Sequence, residues 1–445
     1  MQEFDIIIKN GMILTMDGKT SVLTKGLVCI AGDTISKVCS DGENTFQADK
    51  IIDAKGGLIL PGLVNSHTHA AMSLFRGLAD DLPLMEWLNS YIFPAESRMD
   101  GDFVFSGTLL ACAEMIMSGT TTFCDMYLFE EEVARAARLT GMRCLVGEVL
   151  YDFPSPNYGP VEKGLAYTEK LIRKWQDDPL VNIAVEPHST YTCSPELLRA
   201  ANKLSREYDV PLIVHVAETR GEISEIRDRY AKAPFEHLES LGVLGPHFIA
   251  DHCVHIDKSE IQRMVEHGVR AVDNPESNMK LASGISPVSQ LIASGITVGL
   301  GTDGCASNNN LDLFTEMDTA AKLHKIETMD PTVLDAVTVL KMATIEGART
   351  LGLEDITGSI EVGKKADIII VDTNKPHLTP MYNPYSHIVY SARGNDVSHS
   401  IINGQLVMED RKLLTFDLDE IISSAKNRSQ QILTWLQPPP KNNME

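Results

Sequence analysis

The stretch "NSHTH", residues 65–69, places two histidines one residue apart after a short apolar run. Side chains at i and i+2 of a β-strand point to the same face, so His67 and His69 can converge on one metal ion. An isolated pair of this kind is more often the polar end of a strand. The spacing therefore predicts a metal site only if further ligands reach the same place in the fold.

Later apolar runs also end in side chains that bind metals or move protons. His215 and Asp303, added to His67 and His69, give three imidazoles and one carboxylate, which are donors that suit Zn²⁺ or Fe²⁺. Glu218 can transfer protons at this site only if its strand ends after His215 and the chain turns. The other polar side chains that end such runs are His188, His252, Asn274 and Asn278.

The elements that must position these residues form a repeating pattern over residues 58–355. Apolar runs alternate with helix-like stretches, a rhythm typical of βα units. The runs are "GLILPGLVNSHTH", "GTTTFCDM", "RCLVGEVL", "VNIAVEPHS", "PLIVHVAET", "HFIADHCVH", "RAVDNPESN" and "ITVGLGTDG". Eight units close a (β/α)8 TIM barrel, whose active site lies at the carboxyl ends of the strands. We therefore expect an α/β fold with the candidate residues at one mouth.

Both chain ends have a different sequence pattern. Residues 1–57 contain short β-type runs separated by Asn-Gly, Asp-Gly and Gly-Gly, and similar β-type runs occur again over residues 356–415. This predicts a small β-sandwich domain built from both ends and flanking the barrel. Residues 416–445 read as a helix followed by a Pro-rich tail.

Composition limits the partners and the compartment. The formal net charge of -22 repels nucleic acid and anionic lipid, and no run of 18 apolar residues predicts a membrane span. The amino terminus lacks an export signal, and the eight cysteines contain no C-x-x-C pair, so we expect reduced thiols in the cytoplasm. The missing cysteine spacing also excludes the zinc deaminases that use H-x-E with P-C-x-x-C. The sequence leaves homo-oligomerisation open.

Several motifs together resemble the amidohydrolase superfamily. They are "PGLVNSHTHAAMSLFRG", "HVAET", "HCVH", "NPESNMKLASGISPV" and "GLGTDGCASNNNLDLFTEM". They are most similar to its 5'-methylthioadenosine and S-adenosylhomocysteine deaminases, and the resemblance extends over residues 1 to about 420. It implies one divalent ion per subunit, with Zn²⁺ favoured over Fe²⁺, in a barrel that hydrolytically removes the C6 amine of an adenosine-type nucleoside.

The resemblance also implies roles for individual residues. His67, His69, His215 and Asp303 would bind the metal, and Asp303 would also take a proton from the attacking water. Glu218 would contact the purine and protonate it, and His252 would polarise the water. Asp303 would contact the substrate as well. Further substrate contacts are expected at Trp87, Glu96, His188 and Ser307, with Glu96 accepting hydrogen bonds from the ribose hydroxyls. Without the resemblance, Trp87 in "LMEWLNSYIF" fits an apolar helix face.

One position departs from the family pattern. Relatives that act on S-adenosylhomocysteine can hold its carboxylate with an arginine after the third strand, where this chain has Glu148. If Glu148 faces the substrate, it repels that carboxylate and favours 5'-methylthioadenosine, adenosine or 5'-deoxyadenosine.

Two alternatives stay open at the level of sequence. The first is hydrolysis of another amino- or halo-substituted heterocycle of guanine, cytosine or triazine type. The fourth run, "VNIAVEPHST", lacks the lysine that bridges two metals in binuclear amide hydrolases, so a mononuclear site is favoured. The second alternative is a noncatalytic barrel relative, which would be expected to lack some of the metal ligands.

Overall fold

The computed structural model describes residues 3–40, 46–82, 86 and 88–436. Trp87, one of the predicted substrate contacts, lies outside the described residues. The strands are β1 Glu3–Leu14, β2 Val22–Ala31, β3 Thr34–Ser40, β4 Gln47–Asp53, β5 Leu58–Pro61, β6 Leu63–Thr68, β7 Thr120–Tyr127, β8 Arg143–Leu150, β9 Val181–Ile183, β10 Glu186–Pro187, β11 Leu212–Val216, β12 Phe248–His252, β13 Arg270–Asp273, β14 Val298–Leu300, β15 Ile368–Val371, β16 Val397–Ile402, β17 Gln405–Glu409 and β18 Lys412–Leu413.

Helices follow most strands of the central region. The α-helices are α1 Phe93–Glu96, α2 Gly101–Met117, α3 Glu130–Thr140, α4 Val161–Trp175, α5 Pro195–Tyr208, α6 Arg220–Tyr230, α7 Pro234–Leu241, α8 Lys258–His267, α9 Pro275–Lys280, α10 Val288–Ala293, α11 Leu313–Thr328, α12 Ala336–Met342, α13 Ile345–Leu351, α14 Pro384–Tyr390 and α15 Leu418–Trp435. Short 3-10 segments are Ala70–Phe75, Pro376–Leu378 and Gly394–Asp396, and Leu88–Ile92 is a π-helical segment.

The central strands form two parallel sheets. Strands β6 to β10 make a five-stranded sheet, and β11 to β14 make a four-stranded sheet. β7 and β8 are buried along their whole length, as expected for parallel strands that are covered on both faces. Each of the eight runs singled out in the sequence contains a strand, and the alternation of strand and helix is that of an α/β protein.

Strands from both chain ends share one further sheet of nine strands. Its order is β18-β17-β16-β15-β5-β1-β2-β3, with β4 paired to β1. The two halves meet where β5 pairs antiparallel with β15. The first apolar run is therefore divided, because β5 belongs to this sheet and β6 to a parallel one. Gly62 lies at the division, where a Cβ would come within 2.0 Å of the Thr121 side chain.

A buried ion pair connects the mixed sheet to the parallel strands. The guanidinium Nε of Arg143, at the start of β8, lies 2.8 Å from Oδ2 of Asp367, just before β15, and both side chains are almost fully buried. The same arginine also donates to the carbonyl of Pro179 at 2.8 Å. These contacts hold the amino-terminal end of β8 against the mixed sheet, at the end away from the candidate site.

All eight cysteines are free thiols. Among the described residues, none of the helices has the length and apolar character needed to cross a membrane.

Candidate active site

Four predicted metal ligands converge at the carboxyl ends of strands from both parallel sheets. His67 lies in β6 and His69 directly follows it, His215 lies in β11, and Asp303 follows β14. Nε2 of His67 is 3.3 Å from Nε2 of His215 and 3.8 Å from Oδ1 of Asp303. Nε2 of His69 is 3.1 Å from the same Asp303 oxygen. The structure thus brings together all four residues of the predicted set.

The second ring nitrogen of each histidine lies close to an oxygen atom outside the cluster. Nδ1 of His215 is 2.7 Å from the carbonyl oxygen of His188, and Nδ1 of His69 contacts the carbonyl of Met126. Nδ1 of His67 is 3.1 Å from the carboxylate of the fully buried Asp251. Metal-ligating histidines usually donate their other N–H to such acceptors, which leaves the Nε2 lone pair for the ion.

The spacing of the donors also fits a bound divalent ion. Zinc–nitrogen bonds of about 2.0–2.1 Å in tetrahedral geometry place neighbouring ligand atoms ~3.3–3.4 Å apart. The measured separations of 3.1, 3.3 and 3.8 Å lie around this distance. The donor set, with three imidazoles and one carboxylate, therefore fits a resident divalent metal.

Burial and close contact give these groups unusual protonation in the ion-free protein. Burial opposes charge on His69, but the hydrogen bond and charge of Asp303, the charge of Asp125 and the carbonyl of Met126 together outweigh burial and raise the pKa of His69 to about 9. Burial raises the pKa of Asp303, yet the neighbouring imidazoles hold it well below its usual range. The carboxylate also accepts a hydrogen bond from Oγ of Ser277 at 2.5 Å. Asp303 is thus an anion positioned among imidazoles.

Glu218 reaches the cluster because β11 ends at Val216. Ala217 has a left-handed φ of 56°, which is uncommon for a residue other than glycine and turns the chain away from the strand direction. Glu222 fixes this turn, since its carboxylate accepts the backbone N–H groups of Ala217 and Glu218 at 3.0 and 2.9 Å. The Glu218 side chain consequently lines the same cavity as His215.

His252 completes the polar end of the cavity. It ends β12 with a left-handed φ of 69°, and its Nδ1 is 2.9 Å from Oδ1 of Asn278. One donor nitrogen of its ring lies within 4.8 Å of donor nitrogens of His67 and His215. Burial lowers the pKa of His252, but Glu218 and Asp303 together raise it above its ordinary value. The ring can therefore donate a hydrogen bond toward the centre of the cluster.

A cavity of about 280 Å³ opens from this cluster. Its described lining includes five of the predicted substrate contacts, Glu96, His188, Glu218, Asp303 and Ser307. Glu96 is held by the hydroxyl of Tyr127, which donates to its Oε1 at 2.7 Å. Burial and neighbouring histidines lower the pKa of His188 to about 4, so this imidazole is neutral near pH 7.

The expectation for Glu148 is wrong. Its side chain is fully buried and is absent from the cavity lining, whereas the next residue, Val149, lines the cavity. Oε2 of Glu148 accepts the backbone N–H of Glu130 at 2.9 Å, and Oε1 accepts the amide of Asn157 at 2.8 Å. Glu148 therefore stabilises the first turn of α3 and does not face a substrate.

Sequence reasoning also missed several partners of the predicted residues. Asp251, beside Nδ1 of His67, directly precedes His252 in β12, and a buried aspartate inside an apolar strand was the signal available. Ser277 and Tyr127, which hold Asp303 and Glu96, carry no motif that would distinguish them from other polar residues.

Comparison with known proteins places these residues in a family. The sequence model of the amidohydrolase family matches residues 58–407, a range that includes all four candidate metal ligands. The chain belongs to the amidohydrolase family.

Named relatives of this amidohydrolase extend over almost its whole length. It is 57% identical to a 5-methylthioadenosine/S-adenosylhomocysteine deaminase of Syntrophobacter fumaroxidans, covering 95% of this chain and 97% of that protein. It is 45% identical to a 5'-deoxyadenosine deaminase of Methanosarcina acetivorans, covering 96% and 98%. Its structure matches that of an adenosine deaminase from Xanthomonas campestris with bound zinc at a TM-score of 0.96 and 36% identity, covering 97% and 99%.

Proposed function

We propose that this amidohydrolase is a metal-dependent hydrolytic deaminase of adenosine-type nucleosides that releases ammonia from C6 of the purine. The substrate class comprises 5'-methylthioadenosine, S-adenosylhomocysteine, adenosine and 5'-deoxyadenosine. The observation that carries the proposal is the convergence of His67, His69, His215 and Asp303 in one cluster, at the end of the cavity that Glu218 lines. The names of the similar proteins agree with this class.

The metal is proposed to be one Zn²⁺ per subunit, and Fe²⁺ suits the same ligands. The zinc-bound structural neighbour supports zinc. His67, His69, His215 and Asp303 would hold the ion. When bound, a divalent ion of this kind lowers the pKa of a coordinated water to about 7 and so supplies hydroxide at neutral pH.

Three side chains carry the proton transfers and stabilise charge. Asp303 accepts the proton of the attacking water, because its depressed pKa keeps it ionised at neutral pH. Glu218, on the turn after β11, donates a proton to N1 of the purine as C6 becomes tetrahedral. The proton held by Asp303 then passes to the departing amine, which leaves as ammonia, and the proton of the new hydroxyl returns to Glu218 as the C6 carbonyl forms. His252 donates a hydrogen bond to the oxygen that adds to C6, and Asn278 fixes the orientation of its ring.

The remaining contacts orient the nucleoside. Glu96 accepts hydrogen bonds from the ribose hydroxyls, and Tyr127 holds the carboxylate in place. The neutral imidazole of His188 and the hydroxyl of Ser307 contact the substrate from the same cavity. Trp87 stays a predicted contact outside the described residues.

We also propose that the two parallel sheets form one (β/α)8 barrel, spanning residues 58–355. Parallel bridges between Val185 and Leu212 and between Ser189 and His215 support this at one junction. At the other, the backbone N–H groups of Thr302 and Asp303 donate to the carbonyl of His67 at 3.1 and 3.0 Å.

Residues 1–57 and 356–415 are proposed to form the β-sandwich domain. Residues 416–445 are proposed to form a helical and Pro-rich tail, of which residues 437–445 lie outside the described residues. One buried cluster supports the shared domain, because it packs Ile6 and Ile30 from the first segment with Ile370 and Ile401 from the second. A cytoplasmic location and the absence of nucleic-acid and membrane partners stay predictions from composition.

An assay with a panel of bases and nucleosides tests the proposed function. Zinc-loaded and iron-loaded protein would be incubated with 5'-methylthioadenosine, 5'-deoxyadenosine, adenosine, guanine and cytosine, and ammonia would be measured. We expect ammonia from the adenosine-type compounds. Release only from guanine or cytosine would instead support the alternative heterocycle hydrolase, and release from none would support a noncatalytic relative.

A further inference from the structure

Aromatic side chains form one wall of the cavity. The rings of Tyr151 and Phe153, in the segment after β8, are stacked with centroids 3.8 Å apart and an interplanar angle of 11°. Phe93, at the start of α1, also lines the cavity. Phe153 and Phe93 are 45% and 44% exposed, and both line the cavity, so they leave apolar ring surface open to a ligand that enters it.

This aromatic wall, Phe93, Tyr151 and Phe153, lies beside the proposed ribose contact. Phe93 precedes Glu96 by three residues in α1, so the two side chains project from neighbouring positions of one helical face. Burial raises the pKa of Tyr151, and the nearby carboxylate of Glu96 raises it further. A ribose whose hydroxyls bind Glu96 would therefore place its 5' carbon near these rings.

The described lining of the cavity offers no cation to an anionic 5' substituent. Among the described lining residues there is no lysine or arginine, while Glu96, Glu218 and Asp303 are all acidic. Lys280 is adjacent in sequence to the lining residue Leu281, but its ammonium lies 2.7 Å from the carboxylate of Asp80. A homocysteine carboxylate would lose its hydration here without gaining a cation.

We propose that the aromatic wall selects nucleosides with a small, uncharged, apolar 5' substituent. The inference rests on the proposed deaminase function and on Glu96 as the ribose contact. A methylthio group places its sulfur and methyl against aromatic rings, a favourable contact for a polarisable thioether. The methyl of 5'-deoxyadenosine fits the same wall, whereas the 5'-hydroxyl of adenosine and the charged tail of S-adenosylhomocysteine are disfavoured.

Substrate comparison in the zinc-loaded wild type is the first test. We expect kcat/KM to be highest for 5'-methylthioadenosine and 5'-deoxyadenosine, and lower by roughly tenfold or more for S-adenosylhomocysteine, as expected for groups that fit or misfit an apolar pocket. Equal kcat/KM for S-adenosylhomocysteine and 5'-methylthioadenosine would overturn the inference and leave the proposed function intact. Ammonia from no nucleoside would refute both.

Variants of Phe153 test the aromatic wall directly. Because Phe153 is partly exposed, we expect its variants to fold, and metal content and melting temperature would verify this. Phe153→Ala should lower kcat/KM for 5'-methylthioadenosine by roughly tenfold and for adenosine by less than about threefold. Phe153→Arg should raise the ratio of S-adenosylhomocysteine to 5'-methylthioadenosine turnover at least ~10-fold. Tyr382→Ala, which removes an 89% exposed aromatic outside the cavity lining, is the matched control and should change neither value. Equal losses for both nucleosides in Phe153→Ala, or an unchanged ratio in Phe153→Arg, would contradict a selective role.

Discussion

The burial of Glu148 predicts how the free energy of unfolding changes with pH. Burial raises the pKa of Glu148 to about 7 from an ordinary value of 4.5, even though the N–H of Glu130 and the amide of Asn157 donate to it. The folded protein therefore holds this proton more tightly than the unfolded chain does. The resulting stabilisation is fully present below about pH 4.5 and is lost as the pH rises through about 7.

The size of the effect can be worked out from that difference. A shift of ~2.5 pH units at ~1.36 kcal/mol per unit corresponds to ~3.4 kcal/mol in total, of which ~2.5 kcal/mol falls between about pH 5 and pH 8. Glu148→Gln keeps the shape and an oxygen acceptor for the N–H of Glu130 but cannot ionise. The stability of Glu148→Gln relative to the wild type should therefore rise by ~2.5 kcal/mol over this range.

Urea unfolding of both proteins at a series of pH values measures this difference, with the metal content held equal. Taking the difference cancels the titration of other buried carboxylates that the two proteins share. Glu162→Gln, which changes an exposed glutamate in the first turn of α4, serves as the control and should give a flat difference. A flat profile for Glu148→Gln as well would refute the raised pKa. A changed ratio of kcat/KM between nucleosides would refute its position outside the cavity.

Three further substitutions probe the site itself. His215→Ala should abolish tight metal binding and turnover together, which elemental analysis and ammonia assays would show, and retention of one equivalent of metal with full activity would contradict its role as a ligand. Glu218→Gln should keep the metal but lower kcat by roughly 10²–10⁴-fold, the range for a lost general acid or base; unchanged kcat would remove Glu218 from the proton transfers. Glu96→Ala should raise KM for nucleosides by roughly 10-fold or more with bound metal unchanged, because a charge-assisted hydrogen bond is worth ~1.5–3 kcal/mol; an unaltered KM would exclude the ribose contact.

The cluster of candidate metal ligands was predictable because its members stand at or just after the carboxyl ends of predicted strands. Parallel strands that alternate with helices bring their carboxyl ends to one side, so His67, His215 and Asp303 could be placed together without knowledge of the contacts. The condition set for Glu218 is also met, since β11 ends before it and Ala217 turns the chain.

The direction of Glu148 was not predictable in the same way. A residue near the carboxyl end of a strand faces the active site only if its side chain points inward. The side chain of Glu148 instead points to the first turn of α3. The division of the first apolar run at Pro61 and Gly62 likewise depends on a contact with Thr121 that is distant in sequence. Such features are set by packing between elements, which a local pattern does not encode.

The origin of the oxygen in the product shows whether the protein deaminates nucleosides by adding water to C6. Zinc-loaded protein would be incubated with 5'-methylthioadenosine in ¹⁸O-labelled water, and the nucleoside product would be analysed by mass spectrometry. We expect one equivalent of ammonia and a hypoxanthine-type product with one labelled oxygen at C6. Recovery of the nucleoside with its C6 amine intact under conditions of full metal loading would contradict this expectation.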